Sequence, residues 1–563
     1  MPGSRDKGLL THIEALAYPV AVWSFAVIFL ESIVRPLMDY GLLELITAGT
    51  NLLLLCLIII GRLLAKDSRK QTLLLRFDII MLLLGGLLMF YQAKYVIFFL
   101  LIRQTYFILQ YLLFHAFDGK FYKALTNNPP VSLMLSFAFV ILLGTVMLML
   151  PEASVQRRVT PLFDALFTAT SATCVTGLIV QDTGSYFSLF GQIVILTLIQ
   201  VGGLGIMTIS TAFALIMGRR LTLKLENVMH SVVGDNERLD VFQLLKNIVI
   251  VTVMIEAIGA ILLFFSFSKT LSPPQAMYNA IFHSISAFCN AGFSLFDNSL
   301  MRFVDNPVVN LTITTLILLG GIGFAVIIDL YRYIFKLDRV RKLNLHSKIV
   351  LSVSGILILL GFVGFYIAEY HGVMENFSIS RRILSSWFQS VTARTAGFNT
   401  VDITRIAPAS VLVFLAMMFI GASPGSTGGG VKTTTFAVLI LSVTSMLRGR
   451  RELSLYNRRI SLSNYREATS LITLSVGIIS IVVFLLFLVE NLPFDKLIFE
   501  AISAFGTVGL SMGITAKLSG AGKLLITVLM YIGRIGPLTL IYALSMRKRE
   551  PNINYAEEKI AIG

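Results

Sequence analysis

Long apolar stretches recur along most of the chain, and they constrain its fold more than any other feature. A membrane-spanning helix needs about 20 mostly apolar residues, and about twelve stretches meet that requirement. Only 14% of the 563 residues are charged, and the mean hydropathy is +0.82. A water-soluble domain of this size needs far more polar residues to cover its surface. The composition therefore excludes a cytosolic enzyme, a secreted protein and a disordered chain.

The predicted spans form two sets, four before residue 120 and four pairs after it. They cover 14–35, 42–64, 75–93 and 95–117, then 131–150 with 188–217, 243–267 with 307–331, 348–369 with 409–446, and 466–490 with 520–546. The stretch 409–446 is too long for one crossing. The glycines and Pro424 in its middle predict a break in the helix.

Basic residues follow the second span of every pair, beginning at Arg219, Arg332, Arg448 and Arg547. Cytoplasmic loops of membrane proteins carry an excess of Lys and Arg, so these loops and both termini are predicted to be cytoplasmic. The net charge of +15 therefore reflects the topology of a multi-pass protein of the cell (plasma) membrane, surrounded by the lipid bilayer. It indicates no nucleic-acid partner.

A shorter segment rich in Ala, Ser and Phe lies between the two spans of each pair and leads into a glycine. These glycines are Gly177, Gly292, Gly397 and Gly509, separated by 115, 105 and 112 residues, which is a fourfold internal repeat. Non-helical backbone at membrane depth is tolerated only where it is buried in protein or lines a water-filled cavity. Four such loops around one axis predict a filter whose carbonyl oxygens replace the water shell of a monovalent cation.

The sequence thus predicts an all-α polytopic membrane protein with four pseudo-repeated units around one central pore. Each unit consists of a helix, a pore loop and a second helix, and four extra transmembrane helices precede them. The expected divisions are an N-terminal extension, four pore repeats and a cytoplasmic tail, at 1–125, 126–225, 226–342, 343–460, 461–549 and 550–563.

The motifs CVTGL, CNAGF, RTAGF and GTVGL resemble the four filter loops of the Trk/Ktr/HKT superfamily of potassium transporters. The resemblance covers about 131–546 and is closer to the Ktr-type membrane subunit, of the TrkH/KtrB kind, than to the Trk one. It implies potassium uptake with K+ as the transported ion, no covalently bound cofactor, and a homodimer. It also implies a cytoplasmic partner ring of nucleotide-binding RCK/KTN domains, and it leaves open Na+ as an activator or coupling ion.

The same resemblance assigns the filter to the residues around the four glycines. They are Cys174, Val175, Thr176, Gly177, Cys289, Asn290, Ala291, Gly292, Thr395, Ala396, Gly397, Gly506, Thr507, Val508 and Gly509. In this superfamily a serine at the first glycine is associated with sodium preference, so Gly177 favours potassium. The two cysteines depart from the commoner Thr or Asn, which matters little if only their backbone carbonyls face the ion.

The interruption Gly421–Thr435 in the third repeat resembles the intramembrane loop of the family, which obstructs the pore below the filter and moves to let ions pass. The predicted gate consists of Gly421, Ser423, Gly425, Ser426, Thr427, Gly428, Gly429, Gly430, Lys432 and Arg534. A phosphate-binding loop would need a lysine where Val431 stands, so a nucleotide site is not expected here.

Arg534 is a charge inside the last predicted span, and such residues usually face a cavity or a partner. The resemblance gives it the role of an electrostatic barrier that holds the intramembrane loop closed. The alternative is a buried ion pair with Glu500 or Asp164. Two directions are open for Lys432, toward the gate or toward the cytoplasm.

Other polar and glycine-rich features receive structural interpretations. Asp164 and Glu500 are predicted to begin pore helices, where the helix dipole stabilises an acid. Asp182 and Asp402 follow filter loops and are candidates for the external vestibule. The glycine-rich runs 202–205 and 320–323 predict close helix packing or a pore-facing kink.

Three other functions are weighed against potassium uptake through a filter. The potassium-binding subunit of an ATP-driven pump also has four pore loops, but with different filter motifs. A sodium/potassium-coupled cation symporter is the second alternative. An enzyme needs converging catalytic groups, and among six scattered histidines only His283 lies in a pore helix. The chain is therefore not predicted to be an enzyme.

Overall fold

The computed structural model describes residues 19–20, 23–24, 41–64, 78–79, 81–83, 86, 129–216, 241–335, 342–450 and 452–544. The secondary structure of these residues is helical, apart from one two-stranded hairpin and two isolated bridges. Helix α1 (Gly41–Leu64) agrees with the predicted span 42–64. The predicted spans 14–35 and 75–93 lie mostly outside the described residues, and 95–117 lies wholly outside them.

From residue 129 onward the helices follow one another in four groups with the same order of elements. Each group has a long first helix, a short second helix, and a third helix that is broken. Group 1 is α2 (Pro129–Met149), α3 (Leu162–Thr173) and α4 (Leu189–Ile216). Group 2 is α5 (Val241–Phe267), α6 (Pro273–Phe288), α7 (Pro307–Ile322) and α8 (Phe324–Ile334).

The other two groups repeat this order with one elaboration. Group 3 is α9 (Leu345–Ala368), α10 (Ile379–Thr392), α11 (Pro408–Phe419) and α12 (Thr433–Leu447). The hairpin β1 (Ser454–Leu455) and β2 (Arg458–Arg459) then leads into group 4, which is α13 (Leu462–Val489), α14 (Phe494–Gly506), α15 (Gly520–Ile535) and α16 (Pro537–Leu544). Single 3-10 turns occupy Pro151–Ala153, Met301–Phe303, Ile403–Arg405 and Thr515–Lys517.

The first helices are long and apolar enough to cross a membrane. Among the described residues, four helices meet this test, within α2, α5, α9 and α13, and a fifth span is formed if α7 and α8 are counted together. The third helices α11 and α12 are shorter, because the chain between them is not helical.

The short helices pack at the centre, and their contacts close a circle. Each short helix packs against the first helix of its own group, and in groups 1, 2 and 4 it also packs against the third helix of that group. It also contacts the third helix of the preceding group: α6 against α4, α10 against α7, α14 against α11, and α3 against α15. The last contact joins group 4 to group 1. The four short helices therefore bring the chain segments that follow them to one place.

Glycines with positive φ break three of the third helices. A kink is one of the two structures predicted for the runs 202–205 and 320–323, whereas the break within 520–546 is not predicted by the sequence. The breaks fall at Gly205, Gly323 and Gly536, with φ of 80°, 92° and 91°. Residues with side chains rarely adopt this conformation. At Gly323 the bend between α7 and α8 is 103°. The glycine run 320–323 thus forms the predicted kink, and the break predicted within 409–446 is also present, at residues 420–432.

Candidate functional site

Four loops, one after each short helix, meet in a closed ring, which we call the central ring. It comprises 174–177, 289–292, 394–397 and 506–509. The α-carbon of each glycine packs against a carbonyl of the next loop. A Cβ added at Gly177, Gly292, Gly397 or Gly509 would meet the carbonyl oxygen of Ala291, Ala396, Val508 or Thr176, respectively. The fourth contact returns to the first loop, so the loops are neighbours in the order 1, 2, 3, 4, 1.

The backbone of these loops is held in conformations that turn sharply. The four glycines have φ between 70° and 92°. Two residues before each glycine, Val175, Asn290, Thr395 and Thr507 also have positive φ, between 49° and 73°. Left-handed backbone in a residue with a side chain costs about 1–3 kcal/mol and persists only when the surroundings enforce it. The same unusual geometry occurs in all four loops, so it belongs to the construction of the ring.

Hydroxyl side chains at the ends of the short helices support each loop. Ser171 and Ser503 accept hydrogen bonds from the backbone N–H of Gly177 (3.0 Å) and Gly509 (3.1 Å). Ser286 and Thr392 instead donate, to the carbonyls of Phe293 (2.8 Å) and Phe398 (2.7 Å). These bonds fix the loops to the helix termini without using the side chains of the loops themselves.

All fifteen residues predicted for the filter lie in the central ring. Those with polar side chains direct them mainly toward protein. The amide of Asn290 and the hydroxyl of Thr395 lie 3.2 Å apart, and Thr507 accepts a hydrogen bond from the backbone N–H of Gly429, in the segment between α11 and α12. The Cys289 thiol points away from the ring, toward Gln200 and Glu256. Backbone groups are therefore the polar groups that the four loops have in common.

A second feature, the crossing loop of residues 420–432, lies against one side of the central ring. Its start and end are joined, since Gly421 N–H donates to Val431 O (2.9 Å). Against the ring itself, Gly429 N–H donates to the Thr507 hydroxyl (2.9 Å), and a Cβ at Gly428 would clash with Thr395.

The crossing loop also bonds to the broken third helices of two other groups. Ser423 and Thr427 N–H donate to the carbonyls of Gly321 (3.0 Å) and Gly320 (3.2 Å) in α7. Gly430 N–H donates to Gly533 O (3.3 Å) in α15. The loop therefore spans the molecule between groups 2 and 4 directly beside the ring.

Arg534, buried in α15, links the crossing loop to group 1. One guanidinium nitrogen donates to the carbonyl of Thr427, and the other donates to Gly202 O (2.5 Å) in α4. The alternative of an ion pair with Asp164 or Glu500 is wrong. Asp164 pairs with Lys523 at 2.6 Å, and Glu500 accepts hydrogen bonds from Ser511 and Thr515. Two of the guanidinium nitrogens of Arg534 thus bond to backbone carbonyls.

Lys432 faces the crossing loop, one of its two predicted directions. Its ammonium group donates to Gly428 O at 2.7 Å, four residues back along the chain. Ser423 and Thr433 also bond to each other through their hydroxyls (3.0 Å). Gly425 O accepts from Phe324 N–H at the start of α8, and Ser426 donates to Ser423 O. All ten residues predicted for the gate therefore lie in the crossing loop or contact it.

The third helices of the four groups carry a glycine at the same offset from the helix start: Gly202, Gly320, Gly421 and Gly533. In groups 1, 2 and 4 this glycine packs against the last turn of the short helix of its own group, where a side chain would not fit. The next position holds Gly203, Gly321, Ala422 and Arg534. An arginine therefore occupies a position that the other three groups keep small.

Of the two acidic residues predicted to begin pore helices, one lies at a helix start and the other does not. Asp164 does lie in the first turn of α3, but Glu500 is fully buried in the middle of α14, so its assignment to a helix start was wrong. The carboxylates of Asp182 and Asp402 accept hydrogen bonds from the turns that follow them, from Ser185 and Thr404 respectively.

Two buried charged residues near the ring are not among the residues predicted from the sequence. Arg394 directly precedes the predicted filter residues of loop 3 and donates weakly, at 3.4 Å, to Ser354 and to Gly421 O at the start of the crossing loop. Glu256 lies in the middle of α5 and is 6% exposed. Aligning the loops would have revealed Arg394, since Cys174, Cys289 and Gly506 occupy its position elsewhere. Glu256 was visible as an acid within an apolar span.

Within the described residues, no group of three or more His, Cys, Asp or Glu side chains is placed to hold a metal ion. What the site offers is backbone carbonyls in a ring, two buried arginines and a glycine-rich loop. Broken helices and non-helical backbone between membrane-length helices are typical of polytopic membrane proteins, in which such backbone is buried in protein or lines a water-filled cavity, as in many transporters.

The comparison with protein families is consistent with that class. Residues 98–555 match the model of the TrkH family, described as a cation transport protein. The chain belongs to this family, whose members are transport proteins and not enzymes. Apolar helices of membrane length agree with a multi-pass membrane protein.

Curated relatives extend over most of the chain. It is 41% identical over 454 residues to the "Ktr system potassium uptake protein B" of Vibrio alginolyticus, covering 80% of this chain and 98% of that protein. Identity is 39% to the Bacillus subtilis protein of the same description (79% and 99% covered). It is 36% to the "Potassium/sodium uptake protein NtpJ" of Enterococcus hirae (77% and 97%).

A solved structure shares the fold. The crystal structure of the potassium transporter TrkH from Vibrio parahaemolyticus superposes with a TM-score of 0.58, covering 95% of this chain and 98% of that one at 16% identity. Both chains therefore have the same arrangement of helices despite their low sequence identity.

Proposed function

We propose that this protein is the ion-translocating membrane subunit of a potassium uptake system. The single observation that carries the proposal is the closure of four glycine loops into one ring, made from one chain. The descriptions of the relatives as potassium uptake proteins supply the ion. The membrane potential supplies the driving force, about 2.3 kcal/mol per charge for each 100 mV.

In this proposal the central ring is the selectivity filter, and four pseudo-repeated units surround one pore. Peptide carbonyls of the four loops take the place of the water that surrounds a K+ ion. The positive φ of Gly177, Gly292, Gly397 and Gly509 and their close packing against neighbouring carbonyls keep the ring compact. The buried side chains behind the loops hold the carbonyls at a fixed spacing.

The crossing loop is the proposed gate. It bonds to ring residue Thr507 and to the third helices of groups 2 and 4, so an ion leaving the ring on that side would meet it. Arg534 places a positive charge on the same path and holds Thr427 O. Glycine-rich backbone can change conformation with little steric hindrance, so the loop can move aside while the helices stay in place.

The Ktr relatives are described as components of a system, and we propose that this chain likewise works with other subunits. The proposed assembly is a homodimer bound to a cytoplasmic RCK/KTN ring, which would control the gate. It lies in the cell membrane with both termini in the cytoplasm. The potassium/sodium uptake description of the Enterococcus relative supports a role for Na+ as activator or coupling ion.

The test is uptake of K+ or Rb+ in cells that lack their own potassium uptake systems, with a Ktr-type RCK partner coexpressed. The wild-type chain should restore uptake. In Gly177→Ser the new side chain meets Ala291 O at a φ of +92°. Strain of about 1–3 kcal/mol should lower the preference for K+ over Na+ about tenfold.

Gly477→Ser is the matched control, because a Cβ at Gly477 in α13 has open space around it. It should leave uptake and ion preference as in the wild type. Absence of K+ and Rb+ uptake by a wild-type chain that reaches the membrane would refute the proposed function. An unchanged ion preference in Gly177→Ser would refute the assignment of the filter.

A further inference from the structure

Glu256 is a carboxylate inside the apolar helix α5, within the stretch Lys246–Phe267 that is long enough to cross a membrane. Its side chain is 6% exposed. A charge at such a depth costs free energy unless another group compensates it, and it usually marks a functional site.

The fold does not require an acid at this position. Ser284 in α6 donates to Glu256 O at 2.6 Å, and Gly259 packs against the same serine. Group 3 repeats the arrangement: Ser390 in α10 donates to Ile358 O at 2.5 Å, and Gly361 packs against that serine. Ile358 is therefore the counterpart of Glu256, and an apolar side chain there supports the same helix contact.

The surroundings of the Glu256 carboxylate are sparse in donors. Gln200 of α4 donates to one oxygen at 3.2 Å, and the Cys289 thiol lies 3.9 Å from the other. Within the described residues, no Lys, Arg or His forms an ion pair with it. Two side chains and a thiol offer too few oxygens to replace the water shell of a K+ or Na+ ion.

Two consecutive glycines of α4 connect the surroundings of Glu256 with those of Arg534. Arg534 donates to Gly202 O, and the next residue, Gly203, packs directly against Cys289, whose thiol faces Glu256. Only the Gly202–Gly203 segment and the Cys289 side chain separate the two charges.

We propose that Glu256 is the buried counter-charge of Arg534 and a positioning residue for the gate. This inference rests on the proposed function. The negative charge attracts the guanidinium toward α4, where it reaches both Gly202 O and Thr427 O. Coulomb attraction of this kind is strong in a low-dielectric interior. Glu256 thereby stabilises the closed position of the crossing loop without touching it.

The test is a double-mutant cycle between Glu256→Gln and Arg534→Gln, read out as the initial rate of Rb+ uptake per molecule at the membrane. Glu256→Gln alone should raise the rate about threefold, because the guanidinium is held less firmly. In the Arg534→Gln background the same change should alter the rate less than about twofold, the scatter expected of independent sites. Glu256→Asp, which keeps the charge, should restore a rate close to the wild type.

Ile358→Gln, which places an amide at the counterpart position, is the matched control and should have the same effect in both backgrounds. An equal effect of Glu256→Gln with and without Arg534 would overturn the inference. So would a fall in uptake in both backgrounds, which would mean that Glu256 attracts the ion itself or maintains the fold. Failure of the proposed function is distinguishable, because then the wild-type chain would carry no Rb+.

Discussion

The third helices of the four groups are interrupted in two different ways. In groups 1, 2 and 4 the interruption is a single glycine with positive φ, and helix resumes at once. In group 3 the chain leaves the helix at Phe419 and returns only at Thr433, having bonded to two other groups on the way. The interruption of the third helix is therefore a glycine bend in groups 1, 2 and 4 and the crossing loop in group 3.

The difference lies in what each interruption contacts. At the bend of group 4, Gly536 N–H donates to Ile532 O of the same group, and at the bend of group 2 a single backbone hydrogen bond, from Phe324 N–H to Gly425 O, leads to another group. The crossing loop draws its hydrogen bonds from α7, α15 and ring residue Thr507, and Arg534 holds it from group 4. Group 3 therefore lacks a continuous third helix, and the position of its crossing loop depends on the groups to which it bonds. A movement of α7, of α15 or of the ring would change the position of the crossing loop.

Shortening the crossing loop to resemble the glycine bends should have the largest effect. Deleting Ser423–Gly429 removes the hydrogen bonds to Gly320, Gly321 and Thr507. If the loop obstructs the pore, Rb+ uptake per molecule at the membrane should rise about thirtyfold, corresponding to about 2 kcal/mol of closed-state stabilisation. Uptake is measured in potassium-uptake-deficient cells, with membrane protein quantified in parallel.

Unchanged or lower uptake at normal membrane abundance would argue against a gate. Removing the tip of the β1–β2 hairpin, Tyr456–Asn457, is a suitable control because that turn lies outside the ring and the crossing loop. It should leave the uptake rate within about twofold of the wild type.

A comparison of the two buried arginines sharpens the picture of how the crossing loop is held. Arg534→Gln removes a charged donor from Thr427 O and Gly202 O and should raise uptake about tenfold. Arg394→Gln removes only two contacts of 3.4 Å, to Ser354 and Gly421 O, and should raise it about twofold. Initial Rb+ uptake rates measure both. A larger effect at Arg394 would mean that the loop is held mainly at its start.

The smallest effect is expected from alanine at two glycine bends with nearly identical backbone, Gly323 and Gly536 (φ of 92° and 91°). Both variants should lose about 1–3 kcal/mol of stability through strain, measured by thermal unfolding of the purified protein. Only Gly323→Ala brings a Cβ to 2.7 Å from Pro424 O in the crossing loop, whereas at Gly536 the nearest atom is 3.9 Å away. A change in uptake confined to Gly323→Ala is the expected result; equal changes would show that strain alone is responsible.

The positions of the four loops can be predicted from the sequence, because each loop needs glycine at one position for local reasons. Each of the four glycines sits at a position of positive φ next to a carbonyl, and glycine is the residue such a position demands. The interruption at 420–432 was equally visible, since Gly and Pro cluster there within an apolar stretch. Arg534 stood out as a charge in an apolar span, although its partners proved to be carbonyls and not carboxylates.

The features that the sequence does not predict depend on contacts between distant segments. The single glycine at 536 hardly changes the hydropathy of its span, so the sequence predicts a continuous helix there, whereas the glycine runs 202–205 and 320–323 do indicate a kink. Glu500 was placed at a helix start because the true start, Phe494, is itself apolar. Superposition of the groups shows that Arg394 and Glu256 are exceptional, because their counterparts, such as Ile358, are uncharged.

The solitary position of Arg534 has an evolutionary consequence. Its counterparts are Gly203, Gly321 and Ala422, so one of four equivalent positions carries a guanidinium. A channel assembled from four copies of a short gene product would acquire every mutation four times, and a charge of +4 at one level would repel any cation. Joining the four quarters in a single reading frame allows a mutation to act on one quarter alone. In the proposed function, such a chain can change the charge along its pore by one unit at a time.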